Sequence, residues 1–180
     1  IDRTARIKIN IGTIYNILHE KSMAEKYWQE AIKLNQTIGN LEQEASILLN
    51  YGVFFQENNE FEKANESWIR SEKIFTALGN QDRIALSLSN LGEVYLQTCD
   101  YQNAYDNLNK ALTIFSQLRN KEEILNVTYL LAKYWFNIGE AKELENAINQ
   151  FEYYFMVEDS NSEKNDLNFN YLKLLLKLKD

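Results

Sequence analysis

The hexapeptide NLGEVY at Asn90–Tyr95 is one of three copies of the same short pattern. Forty residues earlier Asn50–Phe55 reads NYGVFF, and forty earlier again Asn10–Tyr15 reads NIGTIY. Each copy has an asparagine, an apolar residue, a glycine and, three positions after the glycine, an aromatic residue. Self-similarity at a fixed period of this length is typical of repeat architectures. We therefore expect stacked repeats rather than a single irregular core.

The composition indicates that these repeats are helical. Proline, which removes a backbone donor and clashes with the preceding helical turn, is absent from all 180 residues. Sustained alternation of apolar and polar residues, the pattern of a half-buried strand, is also missing, as are the Asn-Gly and Asp-Gly hairpin dipeptides. Apolar residues instead recur at helical spacing. The sequence predicts an all-α fold.

The spacing of apolar residues predicts two helices in each forty-residue unit. Gly39 is expected to end a helix in the left-handed conformation that glycine adopts without penalty. The residues Asn40, Asn80, Asn120 and Ser160 keep the forty-residue step and are predicted N-caps. The predicted helices are 5–18, 22–38, 41–57, 61–78, 81–97, 101–118, 121–137 and 141–157, followed by a closing helix at 167–180.

The repeated small and large residues predict how the helices pack. Glycine inside a helix costs about 1 kcal/mol relative to alanine, so Gly12, Gly52 and Gly92 suggest that another helix passes close by. Small residues of the second helices, such as Ala24 and Ala64, are the expected counterparts. Two series of large residues are expected to fill the core: Tyr15, Phe55, Tyr95 and Trp135 from the first helices, and Trp28, Trp68, Leu108 and Ile148 from the second helices.

This small/large pattern resembles the tetratricopeptide repeat (TPR), a helix–turn–helix unit. The forty-residue period is longer than the usual period of about 34 residues, and the end-of-repeat proline is missing. Both features are similar to the long-helix subclass found in kinesin light chains, Pins-type adaptors and regulators of the Rap and PlcR kind. The resemblance implies an α-α superhelix of about four and a half units in a single array over residues 1–180. The units are 1–40, 41–80, 81–120 and 121–160, with a terminal helix at 161–180, and we expect this array to be part of a longer protein.

The resemblance also implies a binding surface, because the first helices of such arrays line a concave groove. An asparagine amide both donates and accepts, so it can pair with a peptide main chain of any sequence. One position on the groove-facing side of the first helices recurs every forty residues. It is occupied by Asn10, Asn50, Asn90 and Asn170, whereas the fourth unit has the apolar Leu130 there and interrupts the series. The alternative interpretation is that a shallow groove merely tolerates a small polar residue. Nearby, Glu93, Tyr129, Lys133 and Lys173 are expected to set specificity, the aromatic and basic residues by contacting an acidic or aromatic ligand side chain.

Other functional classes are disfavoured by charge and by residue type. The formal net charge is 19 − 26 = −7, which repels a nucleic-acid backbone, and no apolar run is long enough to span a membrane. The only histidine, His19, and the only cysteine, Cys99, occupy equivalent turns in two different repeats. They cannot form a catalytic dyad, and we expect no metal, cofactor or enzymatic activity. A single cysteine is compatible with a reducing, cytoplasmic location.

Two functions remain open from the sequence. The first is a protein- or peptide-binding scaffold that holds a partner segment through the asparagine series. The second is a structural, regulatory or oligomerisation arm of a larger signalling or transcription-regulatory protein. The second interpretation rests on the leucine-rich segment Leu167–Leu178, which would expose an apolar stripe and promote self-association.

Overall fold

A computed structural model describes residues 2–157 and 163–177, and every secondary-structure element in these ranges is an α-helix. The all-α prediction is therefore confirmed. Within the described ranges, the helix bounds differ from the expected ones by at most three residues, with one exception. The last helix begins at Glu163 rather than at residue 167. The predicted cap at Ser160 lies outside the described residues. The helices are α1 (Asp2–Ile17), α2 (Lys21–Ile38), α3 (Leu41–Glu57), α4 (Phe61–Leu78), α5 (Gln81–Gln97), α6 (Tyr101–Leu118), α7 (Lys121–Ile138), α8 (Ala141–Val157) and α9 (Glu163–Lys177).

The junction between α2 and α3 shows how one forty-residue unit ends and the next begins. Gly39 adopts a left-handed conformation with φ 70°, and its N–H donates to the Gln36 carbonyl at 3.2 Å. The Asn40 side chain then accepts a hydrogen bond from the Gln43 N–H at 3.2 Å. These bonds satisfy backbone groups that the helix ends would otherwise leave unpaired. Asn80 and Asn120 accept the same bond at 3.2 and 3.4 Å, so the three predicted caps within the described ranges are confirmed.

The turns between the first and second helices also use a left-handed residue, which the sequence did not predict. His19, Asn59 and Cys99 have φ values of 59°, 58° and 60°, and Gly139 stands at the equivalent place with φ 88°. Residues other than glycine adopt this conformation at an energetic cost. The repeat geometry therefore imposes the turn on side chains as different as imidazole and thiol.

The chain divides into two compact units. Unit 1 comprises residues Ile1–Asn90, and unit 2 comprises residues Leu91–Asp180, so the boundary falls inside α5. Within unit 1, α1 packs against α2, α2 against α3, and α3 against α4. Within unit 2, α7 packs against α6, α8 and α9, and α8 packs against α9.

The glycines inside the first helices accommodate bulky side chains from the second helices. A Cβ atom on Gly12 would lie 2.6 Å from the indole of Trp28, and one on Gly52 would clash with the indole of Trp68. The expected close approach is present, but at these two glycines the neighbour is a tryptophan ring rather than an alanine. Each indole N–H also donates to a carbonyl of the facing helix, from Trp28 to Ile9 at 3.3 Å and from Trp68 to Leu49 at 2.9 Å.

The two predicted series of core residues behave differently. Trp28, Trp68, Leu108 and Ile148 of the second helices are at most 4% exposed, which confirms the prediction for that series. In the first-helix series Phe55 is buried, whereas Tyr15, Tyr95 and Trp135 are only half-buried. The prediction of a buried aromatic at each of these positions was therefore wrong in three of four cases. These rings lie at the edge of the helix packing, where one side meets a neighbour and the other meets solvent.

The core of unit 2 contains two large residues at positions where the earlier repeats have small ones. Leu144 and Phe151 of α8 are fully buried and form one cluster with Phe169 and Leu172 of α9 and with Ala132 of α7. The aromatic part of this cluster is layered, because the Phe151 and Phe169 rings stack with centroids 6.1 Å apart. The helix α9 is therefore held by its own buried apolar face.

Candidate functional site

The asparagine series begins in unit 1, on successive first helices. Asn10 on α1 and Asn50 on α3 are exposed, whereas Asn90 on α5 is half-buried. Within the described part of the chain, none of these three amides makes a side-chain hydrogen bond. Other helical asparagines do so: Asn107 and Asn109 of α6 each donate to the carbonyl four residues earlier, at 2.7 and 2.8 Å. The amides of Asn10 and Asn50 therefore keep their donors and acceptors available.

The surroundings of Asn10 and Asn50 combine polar and apolar side chains. On α1, Thr13 is exposed one turn after Asn10, and Ile17 is 69% exposed one turn further on. On α3, Val53 is 36% exposed and Glu57 is exposed. A surface of this mixed character can cover an extended segment and also hydrogen-bond its backbone.

Unit 2 brings three of the predicted specificity residues together. The Lys133 ammonium lies 5.5 Å from the centre of the Tyr129 ring, one helical turn away. Burial, followed by the charges of Tyr171 and Glu93, raises the pKa of the Tyr129 hydroxyl. Glu93, Tyr129 and Lys133 are thus close enough to influence one another. The tyrosine holds the lysine through a cation–π contact, which positions a positive charge beside a half-exposed ring.

The remaining predicted residues of unit 2 lie on α9. Asn170 and Lys173 are exposed, and the Lys173 ammonium lies 3.9 Å from the centre of the Phe169 ring. Phe169 itself is 7% exposed and belongs to the core, so it is covered by the lysine and offers little surface to a ligand. Leu130, expected to provide an apolar contact in the series, is 3% exposed. That expectation was wrong, because α7 is packed on several sides by α6, α8 and α9.

One groove of unit 1 contains none of the predicted site residues. It has a volume of about 670 Å³ and lies between α2 and α4, with Leu48, Tyr51 and Phe55 of α3 as its floor. Its walls carry charged residues of both signs: Glu25, Lys26, Glu30, Lys33, Lys63, Glu66 and Arg70. Sequence reasoning missed this groove, although the charges recur at helical spacing on both second helices.

One lysine that lines this groove, Lys63, is held by contacts within the chain. The Lys63 ammonium lies 5.1 Å from the centre of the Phe55 ring, 2.7 Å from Glu60 and 4.0 Å from Glu25. Glu60 also forms an ion pair with Lys21. The hydrogen bonds from Lys21 and Lys63 hold the pKa of Glu60 below its usual range. This part of the groove lining is thus an aromatic ring covered by a lysine that carboxylates hold in place.

The reactive side chains belong to different units. His19 is in unit 1 and Cys99 is in unit 2, and both are exposed in turns. Over residues 2–157 and 163–177, no group of three or more His, Cys, Asp or Glu residues is placed to bind a metal ion. None of the helices described is long and apolar enough to cross a membrane.

The fold is shared with two solved structures of low sequence identity. BtubC (BKLC) from P. vanneervenii matches with a TM-score of 0.79 and 19% identity, over 88% of this chain and 65% of that one. Aspartyl phosphate phosphatase F from Bacillus subtilis matches with a TM-score of 0.86 and 11% identity, over 99% of this chain and 45% of that one. Identities this low establish the fold alone. The chain thus has an all-helical repeat fold, and it spans less than two thirds of the first structure and less than half of the second.

No protein-family model matches the chain, and no curated protein matches it either. The assignment to the tetratricopeptide family therefore stays a prediction from the repeat pattern.

Proposed function

We propose that this chain is a protein- or peptide-binding module and that the asparagines of its first helices bind the main chain of a partner segment. The observation that carries the proposal is the state of Asn10 and Asn50. They stand forty residues apart in the same helical register, both are exposed, and neither amide is used inside the described part of the chain.

The energetics favour such a role for helical asparagines. The rigid helix fixes the amide near its binding position, so little backbone entropy is lost when a partner binds. A net hydrogen bond is worth about 0.5–1.5 kcal/mol, so two amides together contribute about 1–3 kcal/mol. That contribution corresponds to roughly 5- to 150-fold in affinity. Two asparagines also cost helix stability relative to alanine, since alanine is the best helix former.

The proposal assigns specificity to unit 2. Lys133 and Lys173 each hold their ammonium group against an aromatic ring, at 5.5 and 3.9 Å from the ring centres. A lysine held in this way loses less rotamer freedom on binding than a free surface lysine. An acidic side chain of the partner is the group complementary to these lysines. If the partner segment were shifted along the surface so that an acidic side chain lay beside Tyr129 and Glu93, repulsion by Glu93 would disfavour that alignment.

The test uses peptides selected from a displayed random library against the wild-type chain. The affinity of a selected, labelled peptide is then measured by fluorescence anisotropy. We expect the Asn10→Ala/Asn50→Ala variant to bind roughly 5- to 150-fold more weakly, while its helical circular dichroism is kept and its stability is equal or higher. Asn149→Ala, which alters an exposed asparagine of α8, is the matched control and should bind as the wild type does. Undiminished affinity of the double variant would contradict the proposal.

A second function, self-association through the terminal helix, is favoured by exposed apolar side chains. Leu174 of α9 is 53% exposed and Tyr171 is 41% exposed, while Met156 of α8 is 66% exposed. Sedimentation equilibrium at several concentrations tests it. Leu174→Lys should shift an associating chain to the monomer, whereas Leu118→Lys, at an exposed leucine of α6, should not. A wild-type chain that is monomeric at every concentration would refute this second function.

A further inference from the structure

Four aromatic rings of α6 and α7 form a half-exposed cluster in unit 2. Tyr105 stacks on Tyr134 with centroids 5.2 Å apart, and Trp135 meets Tyr105 and Tyr134 edge to face at 5.3 and 4.8 Å. Tyr101 meets Tyr134 edge to face at 6.2 Å. All four residues are half-buried, so the rings are fixed by their mutual contacts and still keep part of their surface in solvent.

Two carboxylates, those of Asp106 and Glu140, lie near this aromatic cluster. Burial, followed by the charges of Tyr105, Asp106 and Glu140, raises the pKa of the Tyr134 hydroxyl, so both carboxylates lie within electrostatic range of the ring. Glu140 and Glu143 are exposed at the start of α8. Within the described residues, no lysine or arginine forms an ion pair with Glu140 or Glu143, or lies over any of the four rings. The Glu140 and Glu143 carboxylates are therefore not neutralised by an ion pair within that part of the chain.

The positions of unit 1 that lie eighty residues before this region include two lysines, Lys21 and Lys63. There Lys63 covers the Phe55 ring at 5.1 Å, and Glu60 holds Lys63 at 2.7 Å and also pairs with Lys21. The helices of the two regions begin eighty residues apart, so the positions correspond one to one. In unit 2, Lys63 is replaced by Glu143, Lys21 by Tyr101, Glu25 by Tyr105, Phe54 by Tyr134 and Phe55 by Trp135, while Glu60 is kept as Glu140.

We propose that the aromatic cluster of unit 2 is a binding site for a lysine side chain of a partner polypeptide, with Trp135 and Tyr134 contacting its ammonium group and Glu140 pairing with it. The partner's lysine takes the place that Lys63 fills in unit 1. The aromatic surface is larger here, and both internal lysines are gone.

The chemistry of the site selects a cation over other ligands. The face of an aromatic ring carries partial negative charge and attracts an ammonium group, most strongly for tryptophan. An anionic side chain would be repelled by Asp106, Glu140 and Glu143. An uncharged apolar side chain would gain the ring contact but would desolvate the carboxylates without compensation. The site is separate from the asparagine series and does not depend on it.

The first test is a nuclear magnetic resonance titration with acetyl-Gly-Lys-Gly-amide. The chain has three tryptophans, and the indole N–H signal of Trp135 is assigned from its loss in Trp135→Phe. We expect a saturable shift of the Trp135 signal at millimolar peptide, with the signals of the buried Trp28 and Trp68 unchanged. The same peptide with an acetylated lysine should cause no shift. Glu140→Gln should weaken binding about two- to fivefold. Equal shifts with both peptides, or no saturable shift, would overturn the proposal.

The second test builds the unit 1 arrangement into unit 2. Glu143→Lys places an internal lysine where Lys63 stands in unit 1, so it should shift the Trp135 signal without peptide and abolish the titration. Glu145→Lys makes the same change of charge at an exposed residue of α8 about 200° further around the helix, and it should retain peptide binding. Circular dichroism confirms that both variants are folded. Retained binding in Glu143→Lys, or equal loss in both variants, would overturn the proposal.

Discussion

Substitution of Gly52 by alanine is expected to destabilise unit 1, although alanine is the better helix former. The new Cβ atom would clash with the indole of Trp68, at a separation that real side chains do not show. Trp68 cannot readily move away, because it is fully buried and its indole N–H donates to the Leu49 carbonyl at 2.9 Å. Strain from overpacking should therefore exceed the gain in helix propensity.

The magnitude follows from two opposing contributions. Overpacking a filled core costs about 1–3 kcal/mol, and replacing a helical glycine by alanine returns about 1 kcal/mol. For a contact this close we expect a net loss of about 1–2 kcal/mol. The fourth repeat shows how the strain can be relieved, because it has Ala132 and Ile148 at the same two positions. Trp68→Ile alone should cost about 3 kcal/mol through the cavity and the lost hydrogen bond.

The assay is a double-mutant cycle measured by urea unfolding and circular dichroism. We expect the Gly52→Ala/Trp68→Ile variant to lose less free energy of unfolding than the sum of the single variants, by at least about 1 kcal/mol. This coupling isolates the contact between the two side chains. Additivity of the two losses within about 0.5 kcal/mol would refute the packing argument, as would a Gly52→Ala variant that is more stable than wild type.

Three further predictions concern helix ends and charge. Asn40→Ala should lower the free energy of unfolding by about 1 kcal/mol, because it removes the cap at the start of α3; an unchanged urea midpoint would contradict this. His19→Gly should raise the melting temperature, since glycine adopts the left-handed turn without penalty and the cost for other residues is about 1 kcal/mol, whereas His19→Ala should not raise it. Glu60→Gln should be less stable than wild type at pH 7. The lysine partners lower the pKa of Glu60, so its contribution is present above the unfolded-state pKa and is lost as the pH falls through the folded-state value. The difference between the two melting temperatures should shrink as the pH falls below about 4.3, the ordinary glutamate pKa, and a difference that does not shrink would argue against the ion pair.

The helices and their ends could be predicted from the sequence because the signals are local. Asn40 and Gly39 act on the backbone within a few residues, so a cap pattern read along the chain corresponds directly to hydrogen bonds. The forty-residue period then repeats the same local solution. The left-handed turns at His19 and Cys99 escaped prediction because these side chains do not favour that conformation. Only the geometry of the whole repeat imposes it.

The packing partners could not be predicted in the same way. A glycine indicates that something passes close by, but not that the indole of Trp68 rather than an alanine does so. Burial was also misjudged where the sequence carries no directional signal. Leu130 shares the register of Asn50 but is buried by neighbouring helices, and Trp135 shares the register of Phe55 but remains half-exposed. These differences arise from contacts with other helices, which the residues of one helix do not encode.

The candidate surfaces also differ in whether they could be predicted from local sequence signals. Exposure of Asn10 and Asn50 was expected from their register, whereas the groove between α2 and α4 depends on charged side chains meeting across two helices. The aromatic cluster of unit 2 likewise depends on ring contacts between two helices, α6 and α7, which the sequence pattern does not specify.

The most direct test of the proposed function follows the side-chain amides during binding. In a chain labelled with ¹⁵N at asparagine and glutamine, a peptide selected from the displayed library is added, and the side-chain NH₂ signals are recorded. We predict large shifts for Asn10 and Asn50, because their amides form new hydrogen bonds with the peptide main chain. Shifts confined to Gln29 and Gln36, which line the groove between α2 and α4, would contradict the account and place binding there.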